Sequence, residues 1–385
     1  MSFIQNIHIK HIHHLNDLDI ELDLETKKHL ILTGKNGSGK TSVLTEIQKA
    51  LICIERSGSV ASNARPRVEY VLFNGDRLES LSLSVSQIQR THQQYMQGEF
   101  ILCFFKARRS SHLARVDGPK KITVADVHRF DHHANMNFMQ YLVNLKTERS
   151  FARDDDDLAT VTSIDAWFEH FEAQLRQLFS DPSLRLVFDR KNYNFYFEQD
   201  GHEPFGFSTL SDGYAAIMDI VTELMMRMHT GDQPIYEVEG IVLIDEIETH
   251  LHLALQKQVL PFLTALFPNI QFIVSTHSPF VLNSIADAVV YDLDYRERVH
   301  DLSAYSYDAL VESYFDQDKY SEVLKDQVQA YATLVTQKNL NDVQQQEMAQ
   351  LQHSLREKVN APLAQEVQLQ FKELEIQRVL NHGSD

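Results

Sequence analysis

Residues 30–41 read Leu-Ile-Leu-Thr-Gly-Lys-Asn-Gly-Ser-Gly-Lys-Thr, and they limit the fold more tightly than any other stretch. An apolar run ends at Gly34, a glycine-rich turn follows, and Lys40 and Thr41 open an amphipathic segment carrying Val43, Leu44, Ile47 and Leu51. This predicts strand, loop and helix. Gly34, four residues, Gly39, Lys40 and Thr41 have P-loop spacing, in which backbone N–H groups and a helix N-terminus face a phosphate chain. The glycines let the backbone curl, Lys40 reaches phosphate oxygens, and the Thr41 hydroxyl ligates Mg²⁺. Gly34, Lys35, Asn36, Gly37, Ser38, Gly39, Lys40, Thr41 and Ser42 are therefore the candidate nucleotide-binding residues.

At 385 residues the chain is long for one compact unit, so two lobes, or one domain with a large insertion, are expected. No apolar run approaches a membrane span, and Met1 to Lys10 lacks the basic and apolar sections of a signal peptide, so a cytoplasmic protein without membrane contact is expected. Cys53 and Cys103 form no C-x-x-C pair, which argues against structural zinc and for two core thiols. A net charge of −18 argues against a generally basic, nucleic-acid-coating surface.

Strands are expected at Phe3 to Ile9 and Leu18 to Leu22, then at Arg67 to Phe73, Leu78 to Val85 and Glu99 to Phe105. His8, His11, His13 and His14 cluster near the first turn, but no carboxylate or cysteine pattern accompanies them, so they read as surface histidines. The one basic cluster is Lys106, Arg108, Arg109, Arg115, Lys120 and Lys121. It contacts a phosphate, of nucleotide, DNA or RNA, or pairs with the Asp154 to Asp157 run; the sequence leaves both open. Val124 to Lys146 and Ile164 to Phe179 turn helical, with Trp167, Phe168, Phe171, Leu175 and Leu178 at core spacing.

After strands at Leu184 to Phe188 and Tyr193 to Phe197, Ser211-Asp212-Gly213-Tyr214 heads a helix and presents a hydroxyl and free N–H groups. Gly240 to Ile244 is an unbroken apolar strand ending in Asp245-Glu246. A carboxylate pair there suits one group to hold Mg²⁺ and one to polarise water. Residues 271–278 give another buried strand, which ends in Ser-Thr-His-Ser before Pro279, and sheet order should bring these strand ends to one rim.

As a set, Gly34 to Thr41, Leu210-Ser211-Asp212-Gly213, Leu243 to His252 and Ser275-Thr276-His277-Ser278-Pro279 resemble the Walker A, signature, Walker B/D-loop and H-loop motifs of ABC-type ATPases. Within these the chain is most similar to the branch of RecF, SMC and OLD proteins and the ATPase subunits of prokaryotic phage-defence systems of Septu, PARIS or retron-associated type. The resemblance implies an α/β head with a mixed β-sheet, two ATPs sandwiched in a head-to-tail homodimer or higher oligomer, and a separate effector, a nuclease or toxin. It implies that Asp245 supports Mg²⁺, Glu246 is the general base, His277 senses the γ-phosphate, and Ser211, Asp212 and Gly213 act across the dimer. Ser-Asp-Gly-Tyr replaces the transporters' Ser-Gly-Gly-Gln, and Ala107-Arg108-Arg109 stands where a Q-loop glutamine belongs. The alternative is a RecF-like repair ATPase that clamps DNA in its ATP-bound dimer.

The expected organisation is a head at 1–295, with a helical insertion at about 124–180, and a helical region at 296–385. Long heptad arms are missing, as is an acidic cluster after Asp294 of the kind a Toprim nuclease needs. In the last region Leu324, Val328, Tyr331 and Val335, then Met348, Leu351 and Leu355, then Leu363, Val367, Phe371 and Leu374 form apolar stripes that close a small bundle or dock a partner.

Overall fold

The computed structural model describes residues 2–57, 67–74, 77–109, 116–120, 133–228, 238–299, 322–337, 340–359 and 365–382. It divides into two compact units, Met1–Tyr305 and Ser306–Asp385.

Apolar runs buried on both faces make the central sheet of the first unit. These are β3 (His29–Thr33), β6 (Phe100–Phe105), β10 (Glu239–Ile244), β11 (Ile270–Ser275) and β12 (Ala288–Asp292), with β13 (Glu297–Val299) at one edge. The order is β13-β12-β3-β11-β10-β6, and only β13 is antiparallel to its neighbour. Five strands therefore run in one direction and deliver their carboxyl ends to one rim. Gly240 is required in β10, because a Cβ there would lie 2.6 Å from the Ile101 carbonyl oxygen.

A second, antiparallel sheet of order β2-β1-β5-β4 comprises β1 (Ile4–Ile12), β2 (Leu15–Glu21), β4 (Arg67–Asn74) and β5 (Arg77–Val85). Between the sheets in sequence and in packing stands α1 (Lys40–Ser57), which puts Val43, Leu44, Ile47 and Leu51 into one core with Ile4, Ile7, Leu30, Leu32, Leu243 and Ile273. Truncating one such buried side chain to alanine costs about 2–5 kcal/mol, so this core fixes where α1 begins. The short α2 (Ile88–Met96) follows β5.

The chain then forms α3 (Phe138–Asp154), α4 (Leu158–Phe179) and a small sheet of β7 (Arg185–Asp189), β8 (Asn194–Glu198) and β9 (Phe205–Gly206). Trp167 meets Phe168 edge-on at 4.9 Å, and Phe138, Phe171 and Phe197 are fully buried beside them. Of the helical pattern read from Val124 to Lys146, the described part forms an α-helix from Phe138; residues 121–132 lie outside the described part. The Asp154 to Asp157 run is the turn between α3 and α4, with the Asp157 carboxylate capping Thr160 N–H at 3.1 Å. After it come α5 (Asp212–Met228), α6 (Leu253–Leu266) and α7 (Pro279–Leu282).

The second unit contains α8 (Glu322–Thr336), α9 (Asp342–Val359) and α10 (Gln365–His382). Val328, Tyr331, Val335, Leu355, Phe371 and Leu374 pack into one core, joined by Met348 and Leu351. Of the two expectations for these stripes, the self-packed bundle is the one observed. Leu324, Leu363 and Val367 are not among the described side chains.

Candidate functional site

Thr33 ends β3, and the chain then turns through Gly34, Gly37 and Gly39, whose φ values of +134°, +84° and +102° other residues rarely adopt. At Gly39 a Cβ would lie 2.9 Å from Leu15 Cδ1 in the tip of the β1–β2 hairpin, so this turn has no room for a side chain. The same tip brings His14 to the loop, where its Nε2 is 3.1 Å from the Ser38 carbonyl oxygen. His8 instead pairs with Asp19 at 2.7 Å, and His11 bonds Asn16. Among the described residues no group of side chains forms a metal cluster.

Lys40 is buried, and its Nζ donates to the Gly34 and Lys35 carbonyls at 2.8 and 3.0 Å. Burial lowers its pKa, opposed by the carboxylates Asp294, Glu248, Glu246 and Asp245. Asp294, just past β12, accepts the Lys35 N–H.

Parallel pairing of β10 with β11 sets Asp245 and Glu246 beside Ser275. The Asp245 carboxylate accepts the Thr41 hydroxyl at 2.9 Å through one oxygen and the Ser275 hydroxyl at 2.5 Å through the other. Thr41 and Asp245, both hard oxygen donors, fit Mg²⁺, which keeps few protein ligands and takes the rest from phosphate and water. Glu246 has a left-handed backbone, φ +44°, which is strained for a residue with a side chain. Ser275 Oγ holds its N–H at 2.8 Å, and the Thr249 hydroxyl donates to its carboxylate at 3.2 Å. His277 follows β11. Its pKa is lowered, first by burial and then by Lys40, so the imidazole is neutral near pH 7.

The Walker-type residues Gly34 to Thr41, Asp245, Glu246 and His277 thus share one rim. Three further residues belong there. Glu248 accepts the His277 N–H at 2.5 Å and the Thr276 hydroxyl at 2.8 Å; Ser275 bridges Asp245 and Glu246; Asp294 closes the loop's first N–H. The first two lie inside the motif stretches but had no role assigned to them, and Asp294 carried no signal.

Residues 119–283 match the family model described as "AAA domain, putative AbiEii toxin, Type IV TA system". The matched segment holds Asp245, Glu246 and His277 and leaves out the glycine loop. Over 309 residues the chain is 25% identical to Septu protein PtuA of Bacillus mycoides (strain KBAB4), covering 75% of this chain and 40% of that protein. Over 85 residues it is 42% identical to "Retron Vc95 probable ATPase" of Vibrio cholerae serotype O1 biovar El Tor, covering 21% and 16%. The chain spans less than half the length of both relatives. Among solved structures, the SMC head domain from Thermotoga maritima aligns with 75% of this chain and 94% of its own, at 12% identity and a TM-score of 0.39.

The segment Ser211-Asp212-Gly213 lies at the start of α5. Ser211 and Asp212 are exposed, whereas Gly213 is buried, and a Cβ there would lie 3.1 Å from the His250 carbonyl oxygen. Tyr214, in place of the transporters' glutamine, stacks on Phe179 of α4 at 4.1 Å with an interplanar angle of 2°. Tyr214 therefore packs α5 against α4.

The basic cluster is not one surface patch. Arg108 and Lys120 are exposed, but Arg109 turns inward and donates through Nη2 to the Glu246 and Ile247 carbonyls at 2.8 and 3.2 Å. Arg115 and Lys121 lie outside the described residues. Pairing with the Asp154 to Asp157 run is not what Arg109 does, because the β6–β10 pairing carries it to the nucleotide rim instead.

Proposed function

We propose that this chain binds ATP with Mg²⁺, hydrolyses it slowly, and closes head to tail around two nucleotides to gate a separately encoded effector, a nuclease or toxin, in anti-phage defence. The observation that carries the ATPase part is the 2.9 Å bond from Thr41 to Asp245, made across 204 residues of sequence, with Glu246 and His277 on the same rim. When bound through Thr41 and Asp245, Mg²⁺ supplies charge neutralisation at the phosphates. Lys40 exchanges loop carbonyls for phosphate oxygens. Glu246 takes the proton of the attacking water, and neutral His277 donates a hydrogen bond to the terminal phosphate, held in place by Glu248. The exposed Ser211 and Asp212 are free to meet a second copy's nucleotide.

The defence reading draws on the relatives' names, Septu and retron. The RecF-like, DNA-clamping alternative has less support, since Arg109, one of the candidate phosphate contacts Arg108, Arg109, Arg115, Lys120 and Lys121, faces the protein's own carbonyls. Purified protein should hydrolyse ATP, and the product of a neighbouring gene should co-purify with it. Failure to hydrolyse ATP would remove the first part, and a chain that always purifies alone would remove the second.

A further inference from the structure

The rim contains one cation that the proposed chemistry leaves unused. Arg109 lies four residues past the end of β6, where a Q-loop glutamine belongs in the ABC pattern. Its guanidinium reaches across the last rung of the β6–β10 pairing, where the Asp245 N–H bonds the Phe105 carbonyl at 2.8 Å, and holds the turn beyond. That turn is the strained one. The Glu246 carbonyl accepts both Arg109 Nη2 at 2.8 Å and the Thr249 N–H at 3.0 Å, and the residue between these two bonds and Ser275 is held at φ +44°. A left-handed conformation in a non-glycine residue costs roughly 1–3 kcal/mol and persists only where its surroundings over-determine it. Arg109 is one of the groups that over-determine it.

The choice of residue is informative. A guanidinium held by two carbonyls has no counter-charge on its hydrogen-bond partners, whereas in an ion pair the partner's charge offsets it. Among the described residues no carboxylate lies within ion-pair distance of Arg109, and its Nε and Nη1 are buried without a protein acceptor. Both bonds come from one nitrogen, Nη2, whose two N–H groups lie fixed in the guanidinium plane and face the two adjacent carbonyls, whereas a lysine ammonium rotates freely.

We propose that Arg109 is a positioning residue for hydrolysis, fixing the Glu246 turn in its reactive conformation in place of the missing Q-loop glutamine. The inference rests on the ATPase reading above and on Glu246 as its base. Arg109 acts through Glu246, so its loss should lower turnover without lowering nucleotide affinity.

The experiment compares wild type, Arg109→Gln, Arg109→Lys, Glu246→Gln and the double variant Arg109→Gln/Glu246→Gln. For each, thermal unfolding, the Kd of a non-hydrolysable ATP analogue with Mg²⁺, and kcat are measured. Arg109→Gln should bind the analogue within about threefold of wild type and lose about tenfold or more in kcat, a transition-state effect. Arg109→Lys should fall between them. The double variant should be no slower than Glu246→Gln, because residues that act as one unit are not additive. If both folded Arg109 variants keep kcat within twofold, or if the two losses simply add, the positioning role is overturned while the ATPase reading stands. A loss of affinity equal to the loss of kcat would make Arg109 a binding residue and overturn the proposal in the same way. If wild type does not hydrolyse ATP, or if Glu246→Gln matches wild type, the underlying reading fails first and takes the inference with it.

Discussion

Thr41 and Asp245 meet at 2.9 Å, hydroxyl to carboxylate, joining the start of α1 to the end of β10. Both atoms are the ones a nucleotide-bound Mg²⁺ would claim. Thr41→Ala should therefore weaken Mg²⁺-supported ATP binding by roughly tenfold or more, the scale of one hydrogen bond to a charged group, and leave binding in excess chelator nearly unchanged. Calorimetric titration with and without Mg²⁺ checks this. An equal loss under both conditions would place Thr41 on the phosphates rather than the metal.

Lys40 and Glu246 should fail differently, because one meets phosphate and the other only the attacking water. Lys40→Ala is expected to lose ATP binding. Glu246→Gln is expected to bind ATP, stall, and accumulate as a dimer measurable by light scattering. Hydrolysis at the wild-type rate by Glu246→Gln would remove its assignment as general base.

What was legible in the sequence was whatever announces itself locally. Residues 30–41 gave a strand, a loop and a helix start because an apolar run, glycines of positive φ and a lysine-threonine pair are neighbours in the chain. Asp245 and Glu246 were legible because a strand buried on both faces must be apolar up to the residue that leaves the sheet. Asp294 and Arg109 were not, since their partners are Lys35 and Glu246, respectively 259 and 137 residues away. Those contacts exist only once β12 lies beside β3 and β6 beside β10. Arg109 was seen as a cation facing either a phosphate or the Asp154 to Asp157 run, because composition reports a charge and says nothing of the direction it faces.

Dimer architecture can be tested by complementation. Ser211→Arg should block the partner's nucleotide site and Lys40→Ala its own, so each variant alone should be inactive. Mixed, they form heterodimers in which one composite site is intact, and part of the activity should return. Proven heterodimers without rescue would remove the role of Ser211 across the interface.

His29 should make stability depend on pH. It is 5% exposed in β3, its Nδ1 accepts the Phe272 N–H at 3.0 Å, and burial, with Lys27 as the next cause, lowers its pKa from 6.5 to about 4. The folded state thus binds the proton less readily than the unfolded chain. The contribution is complete above pH 6.5, declines as pH falls toward 4, and amounts to about 3 kcal/mol over that window. Denaturant unfolding at several pH values should show the decline. His29→Leu should flatten this component and cost about 1–3 kcal/mol at neutral pH, because the Phe272 N–H is left without an acceptor.

The second unit has its own core, so it should be separable from the first in a melting experiment. Tyr331 is fully buried in that core, its ring tilted against Phe371 at 5.7 Å, and its hydroxyl donates to Glu375. Tyr331→Ala removes a large side chain and leaves the Glu375 carboxylate without this donor, at a cost of about 3–5 kcal/mol. A core built from some nine side chains has little to spare against such a loss. Exchange protection should therefore collapse across Glu322–His382 while nucleotide binding by residues 1–305 persists. If the C-terminal unit also carries the effector contact, it must do so through its outer residues, such as the exposed Val343, Ile376 and Leu380, because the inner stripe is already used. Replacing those three with serine should then release the effector at unchanged helicity and ATP turnover, whereas retained effector binding would move the contact to the ATPase unit.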